Sequence, residues 1–340
     1  MNQRPTTIYD VAVEAGVSIS TVSLALNNPS RVAAGTLTRI MDVVDRLGFV
    51  PKTEAVARAR RGVRRIGVIG PFTSYPSFAL RLNGILKHAM SEHFEVVVFD
   101  QQSAATSRLE SLPVTGRVDG LIVMSVPFSD GVARRLNDKH VPAVLLEFER
   151  PGFTCVLIDD VAGGRLAGKL FVAHGHERVG FLGAIQSVAY RSQSQLRLEG
   201  FRDALPGEPE SRLVEENFES ARAAARELLA EGITAIFAHD DFLASAALRA
   251  ARDLSLGVPN DVEIIGFDDG KLAEAIGLTT VRQPLEESGE VATQLLLAQI
   301  EDPSRSARSV TLELSLIERD TTTPGEREDR GVPSDEVLLS

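Results

Sequence analysis

Hydroxyl side chains crowd the stretch GVSISTVSLALNNP, residues 16–29, at Ser18, Ser20, Thr21 and Ser23. Hydroxyls donate hydrogen bonds to phosphate oxygens, and such contacts position a protein on a nucleic acid without reading its bases. Ser18, Thr21 and Ser23 are candidates for that role, which leaves Ile19, Ser20 and Leu24 to meet base edges. Other chemistry-bearing patterns are weaker. GGRLAGKL, residues 163–170, has the spacing of a phosphate-binding loop, but Leu170 stands where a Ser or Thr must bind Mg²⁺. Asp159 and Asp160, just before it, repel phosphate. HGH, residues 174–176, reads as a helix-ending glycine between two histidines. No nucleophile has a paired base in a supporting context and no ligand spacing suits a metal, so neither an enzyme, a metal site nor a cofactor is expected.

The elements that must carry these groups are three short helices. Thr7 caps the first with Asp10 three residues later, and Ile8, Val11, Ala12 and Ala15 recur at helical spacing until Gly16 breaks the run. Ser18 caps the second, whose inward stripe is Val22, Ala25 and Leu26. The third carries Leu37, Ile40, Met41, Val44 and Leu47 and ends at Gly48. Two helices joined by a tight glycine turn and supported by a third make a helix-turn-helix. A helix as short as the second is marginal alone, and crossing one major groove asks for no more. A small helical core without a ligand satisfies the same periodicity.

Charge is divided between the two ends of the chain. Of the net −11 over 340 residues, residues 1–65 contribute +5 and the remainder −16, which points to a polyanion-binding head on an acidic body. The single Cys155 forms no intramolecular disulfide, there is no export-signal pattern, and no run of 18 apolar residues occurs. A cytoplasmic chain without membrane contact is expected. From residue 65 on, short apolar runs alternate with helical segments: RIGVIG, FEVVVFD, DGLIVMS, VPAVLLEF, CVLID, RVGFLGA, TAIFAH and VEIIGFDD. Such runs mark parallel sheets built from βαβ units, here in two doubly wound subdomains whose ligand lies at the carboxyl ends of the strands.

Residues 7–51, TIYDVAVEAGVSISTVSLALNNPSRVAAGTLTRIMDVVDRLGFVP, resemble the DNA-binding head of the lactose-repressor (LacI/GalR) family of transcriptional regulators. The core of that resemblance is A-G-V-S-x-x-T-V-S-x-x-L-N, Ala15 to Asn27. Body segments such as LIDDVAGGRLAGKLFVAHGHERVGFLG and LTTVRQPLEESGEVATQLLL extend it over residues 6–324. It implies an α/β chain with a helix-turn-helix head (1–50), a basic hinge (51–65) and a periplasmic-binding-protein-like core (66–324). The core would pair 66–160 with 286–316 and 161–285 with 317–324, leaving a disordered tail, 325–340. The implied DNA-facing set is Ser18, Ile19, Ser20, Thr21, Ser23 and Leu24, with Thr7, Asn27 and the hinge residue Arg58. Leu24 departs from the family's usual arginine, and Arg58 stands where a wedging leucine is expected. An apolar contact of Leu24 with a thymine methyl and a minor-groove role for Arg58 follow as expectations.

The resemblance also implies an effector between the two subdomains, held by Glu147, Asp160, Arg197, Phe218, Asp240, Asp268 and Gln283, with Tyr75 and Phe78 in the loosest part of the alignment. Asp160 and Asp240 replace common asparagines, so a donor-rich sugar or nucleoside is expected. The implied partners are double-stranded, pseudo-palindromic operator DNA and a second copy of the chain, with a tetramer as the alternative assembly. A solute sensor whose head no longer reads DNA is the competing function, and each acid alone could equally be a helix cap.

Overall fold

The computed structural model describes residues 6–49, 64–72, 76–101, 118–185, 191–215 and 217–323. Arg58, Tyr75 and the tail 325–340 lie outside them. The head folds as α1 (Ile8–Ala15), α2 (Ile19–Asn27), a 3₁₀ turn (Pro29–Arg31) and α3 (Ala34–Leu47). At its start, the Asp10 carboxylate accepts from both the backbone N–H (2.7 Å) and the hydroxyl (2.6 Å) of Thr7. Gly16, at φ 64°, takes the left-handed conformation that ends α1 and turns the chain into α2, a geometry a side chain resists. Val11, Ala12, Ala15, Val22, Ala25, Ile40, Val44 and Phe49 close one small core beneath the three helices.

The chain divides into two compact units, Met1–Ile158 with Pro284–Glu313 and Asp159–Gln283 with Leu314–Ser340. The first contains a six-stranded, all-parallel sheet in the order β11-β5-β4-β3-β1-β2. Its strands are β1 (Arg64–Gly70), β2 (Phe94–Asp100), β3 (Gly120–Met124), β4 (Ala143–Leu146), β5 (Thr154–Ile158) and β11 (Ser309–Leu312). The helices Pro76–Ser91 and Leu285–Glu301 cover one face around Ile66, Val68, Ile85 and Leu296; Asp130–Asp138 covers the other around Ile69, Val123 and Leu136. Both faces of β1, β3 and β4 are therefore dry, which is why these strands read as unbroken apolar runs.

The second unit repeats the plan in the order β12-β10-β9-β8-β6-β7, with β12 alone antiparallel. Its strands are β6 (Val179–Ala184), β7 (Glu210–Val214), β8 (Ala235–Ala238), β9 (Glu263–Asp268), β10 (Thr279–Arg282) and β12 (Ser315–Ile317). One face packs aliphatically on the helices Phe218–Ala230 and Asp241–Asp253. On the other, Phe181, Phe237 and Phe267 of the sheet, Phe171 of the Asp160–Ala173 helix and Phe201 of the Gln193–Ala204 helix form one connected set of aromatic contacts.

Two features differ from the sequence-based expectation. Asp160 was expected to end the first subdomain, but it opens the Asp160–Ala173 helix of the second unit. The cause is close packing, since that helix lies against Gln193–Ala204 so tightly that a Cβ on Gly164 or Gly200 would overlap a carbonyl oxygen, of Arg197 or of Val161. Gly163 and Gly168, which give residues 163–170 their phosphate-loop spacing, are likewise packed closely, on the Phe267 ring and on Ala204 and the Phe201 carbonyl, inside a helix and not in a loop. The returns, placed near 285 and 317 from the sequence, come at Pro284 and Leu314.

Candidate functional site

On the head, Ser18 Oγ accepts from the Thr21 N–H at 3.1 Å and lies 2.7 Å from the hydroxyls of both Ser20 and Thr21. These hydroxyls cluster at the N-terminus of α2, where unpaired N–H groups and the helix dipole favour an anion. Ile19 and Ser20 are exposed, Ser23 and Leu24 are half-buried, and Val22 and Ala25 are withdrawn into the core. Asn27 is the last residue of the helix. Thr7 is half-buried and engaged with Asp10. The outer face of α2 is thus a strip of hydroxyls beside two aliphatic side chains, suited to phosphates and thymine methyls.

In the second unit, polar side chains gather where β8, β9 and β10 end. Arg197, from the Gln193–Ala204 helix, is 3% exposed. Its Nε donates to Asp160 Oδ1 at 2.8 Å, its Nη1 donates to the His239 carbonyl oxygen at 2.6 Å, and its guanidinium lies 3.6 Å from the centroid of the Phe267 ring. A desolvated cation persists only with such a set of partners. His239 Nδ1 accepts from the same Nη1 at 3.3 Å. Burial, and then the charge of Arg197, hold the His239 imidazole well below its ordinary pKa and therefore neutral.

Each of two adjacent aspartate pairs splits its labour. Asp159 and Asp240 are N-caps, accepting from Ala162 N–H at 2.8 Å and Leu243 N–H at 2.7 Å. Asp160 and Asp241, one position on, are buried. Asp268 takes a left-handed φ of 115° and accepts from the Gln283 side-chain amide. Asp269 beside it is held by Arg282 Nε and Arg319 Nη2, both at 2.6 Å.

Of the sequence-predicted effector set, the second unit therefore brings together Asp160 with Arg197, and Asp268 with Gln283, and uses Asp240 as a cap. Phe218 goes elsewhere: it packs on the aliphatic core and meets Phe242 edge-on, with centroids 6.1 Å apart. In the first unit Phe78 is a core residue 5.3 Å from the Arg81 guanidinium. Glu147, at a left-handed φ of 68°, accepts from buried Arg81 and from the Ser125 hydroxyl.

Arg81, Ser125, His239 and Asp241 were not found from the sequence. A signal for Arg81 exists, because RLNG at 81–84 matches RLEG at 197–200, and both arginines are buried against an acid and a phenylalanine ring. Among the described residues no group of three or more His, Cys, Asp or Glu could hold a metal ion, and no single helix is long and apolar enough to cross a membrane.

Residues 7–52 match the family described as bacterial regulatory proteins, lacI family, and residues 169–322 match the periplasmic binding protein-like domain. Among curated relatives, the HTH-type transcriptional regulator DegA of Bacillus subtilis is 31% identical over 335 residues, covering 94% of this chain and 98% of its own. A LacI family regulator from Enterococcus faecalis, solved with bound ribose, superposes with a TM-score of 0.69 at 28% identity over 77% of this chain and all of its own. The lac repressor dimer bound to operator and the anti-inducer ONPF gives 0.67 at 27% identity over 94% of this chain and all of its own.

Proposed function

Because the chain belongs to the lacI family of bacterial regulatory proteins, we propose that it is a transcriptional repressor whose operator affinity is set by a small sugar- or nucleoside-like effector. The observation that carries this reading is the joint presence, in one chain, of an N-capped helix with an open outer face and a second unit whose strand ends gather carboxylates beside a buried arginine. Two heads in a dimer would read a pseudo-palindromic site, with half-site spacing set by the two-fold axis.

In this reading Ser18, Thr21 and Ser23 hold phosphates with Thr7 and Asn27 nearby, while Ile19, Ser20 and Leu24 face bases. Arg58 enters a narrow minor groove at the operator centre. Asp160, Arg197, Asp240, Asp268 and Gln283 of the second unit shape the effector site. Asp240 and Asp268 offer acceptors to hydroxyl donors, which suits a neutral polyol more than a phosphorylated ligand. No enzymatic role is proposed, since the phosphate-loop-like segment is helix interior.

In-vitro selection of bound DNA from a random pool at physiological salt tests the reading. A palindrome is expected, with thymine at the base pair facing Leu24. Leu24→Arg should shift that position to guanine, a preference of about 1–3 kcal/mol. Equal recovery of C·G- and A·T-centred operators would remove the role given to Arg58. A chain that enriches no sequence, with or without ribose, would instead be a sensor without DNA binding.

A further inference from the structure

Asp241 is the first residue of the Asp241–Asp253 helix and is 5% exposed, yet its carboxylate joins two other elements. Oδ2 accepts from the Gly270 N–H at 2.9 Å, and Oδ1 accepts from the hydroxyl of Thr280, a fully buried β10 residue, at 2.6 Å. Gly270 closes the turn of Asp268, Asp269 and Gly270 at the end of β9, in which Asp268 and Asp269 hold left-handed φ values of 115° and 59°. Residues with side chains keep such conformations only where their surroundings over-determine them. The carboxylate also lies flush on β9, since a Cβ on Gly266 would come within 2.5 Å of Oδ1.

From this geometry we infer that Asp241 is a positioning residue for Asp268: it clamps the 268–270 turn to β10 and so sets how Asp268 is presented to a ligand. The inference rests on the reading of Asp268 as part of the effector site. Both carboxylate oxygens of Asp241 are committed to groups of the protein itself, so it acts through the turn and not as a ligand group. The charges around it make a passive role costly. Burial, then Asp268 on β9, and Asp240 on its own helix disfavour its ionised form and raise its pKa well above the ordinary value; Thr280 and the Gly270 N–H are what favour ionisation. The nearby cations are directed elsewhere, Arg282 and Arg319 to Asp269, and Arg197 to Asp160 and His239.

Hydrogen exchange read by mass spectrometry on the full chain decides the matter without a ligand. Asp241→Ala should raise exchange at least tenfold in peptides covering 268–272 and leave the β6 strand protected. Asp241→Asn, whose amide still offers an acceptor to Gly270 and a donor to the Thr280 hydroxyl, should keep most of the protection. If the alanine variant does not fold, Thr280→Val should raise turn exchange by a smaller factor. Unchanged turn protection in the alanine or valine variant, an asparagine variant as deprotected as the alanine one, or uniform deprotection of the whole second unit would overturn the inference. A parallel thermal-shift measurement with D-ribose bears on the effector reading alone: no shift of the wild type counts against that reading and leaves the clamp to be decided by exchange.

Discussion

Arg197 is the side chain around which the second unit's polar groups are arranged, and its partners show what it is for. It donates to Asp160 and to the His239 backbone while lying on Phe267. Removing the cation strands a buried carboxylate, and breaking one side of such a pair costs about 3–5 kcal/mol. Arg197→Met should therefore lower stability by that amount in urea denaturation. The double variant Asp160→Asn with Arg197→Met should recover part of the loss, because a buried neutral amide is less penalised than an unpaired charge. A single-variant loss below about 1 kcal/mol would mean that the pair is not desolvated in solution. The family resemblance pointed to Arg197 and Asp160, but their bond to one another followed only from helix packing.

At the scale of elements, each unit joins two helices through glycines. Gly164 and Gly200 bring Asp160–Ala173 onto Gln193–Ala204, and Gly84 and Gly289 do the same for Pro76–Ser91 and Leu285–Glu301. In the second unit this contact aims Arg197 at Asp160. Gly200→Ala would place a methyl group on the Val161 carbonyl, with a cost of about 1–3 kcal/mol or more as the helices separate. Calorimetric melting should show that loss. The same change at Gly35 has the opposite sign, since that position in α3 opens onto empty space and has no left-handed φ. Gly35→Ala should stabilise the head by up to about 1 kcal/mol through helix propensity. Strands divide in a similar way: the eight with continuous apolar runs were legible, whereas β7, β10, β11 and β12 are short and carry polar residues. Three of these four lie at sheet edges, where one side needs no apolar partner.

For the molecule as a whole, acid sensitivity gathers where β9 starts. Glu263 is buried and accepts from the Thr323 N–H at 2.9 Å, with His174 Nδ1 2.8 Å and His176 Nε2 3.3 Å from its Oε2. Burial alone would raise its pKa, but the bonds to His174 and Thr323 outweigh it and hold the carboxyl below the ordinary glutamate value. A depressed carboxylate adds stability that is present above its unfolded pKa and is lost as pH falls through the folded one. Asp241 has a raised value, so its contribution runs the other way and weakens the fold as pH rises above the ordinary aspartate value. Glu263→Gln should therefore flatten the acid limb of a stability-against-pH curve measured by denaturant titration. An unchanged acid limb would show that Glu263 is not the group that titrates. If an effector and operator are linked in the proposed way, ribose must change operator affinity by the same factor that operator changes ribose affinity.

Periodicity and caps along short stretches were enough to determine the head, because Thr7, Gly16, Ser18 and Gly48 act on neighbours within a few residues. Burial on both faces likewise made the central strands visible one at a time. The two aspartate pairs mark where that reach ends. Asp159-Asp160 and Asp240-Asp241 are the same dipeptide at a strand-to-helix junction, and their composition does not say which member faces inward. In both, the first caps the helix and the second turns into the unit, one toward Arg197 and the other toward Thr280 and Gly270. Those partners are 37, 39 and 29 residues away. Only the packing of sheet and helices brings them into hydrogen-bonding distance, and a carboxylate's role is set by the donors that surround it.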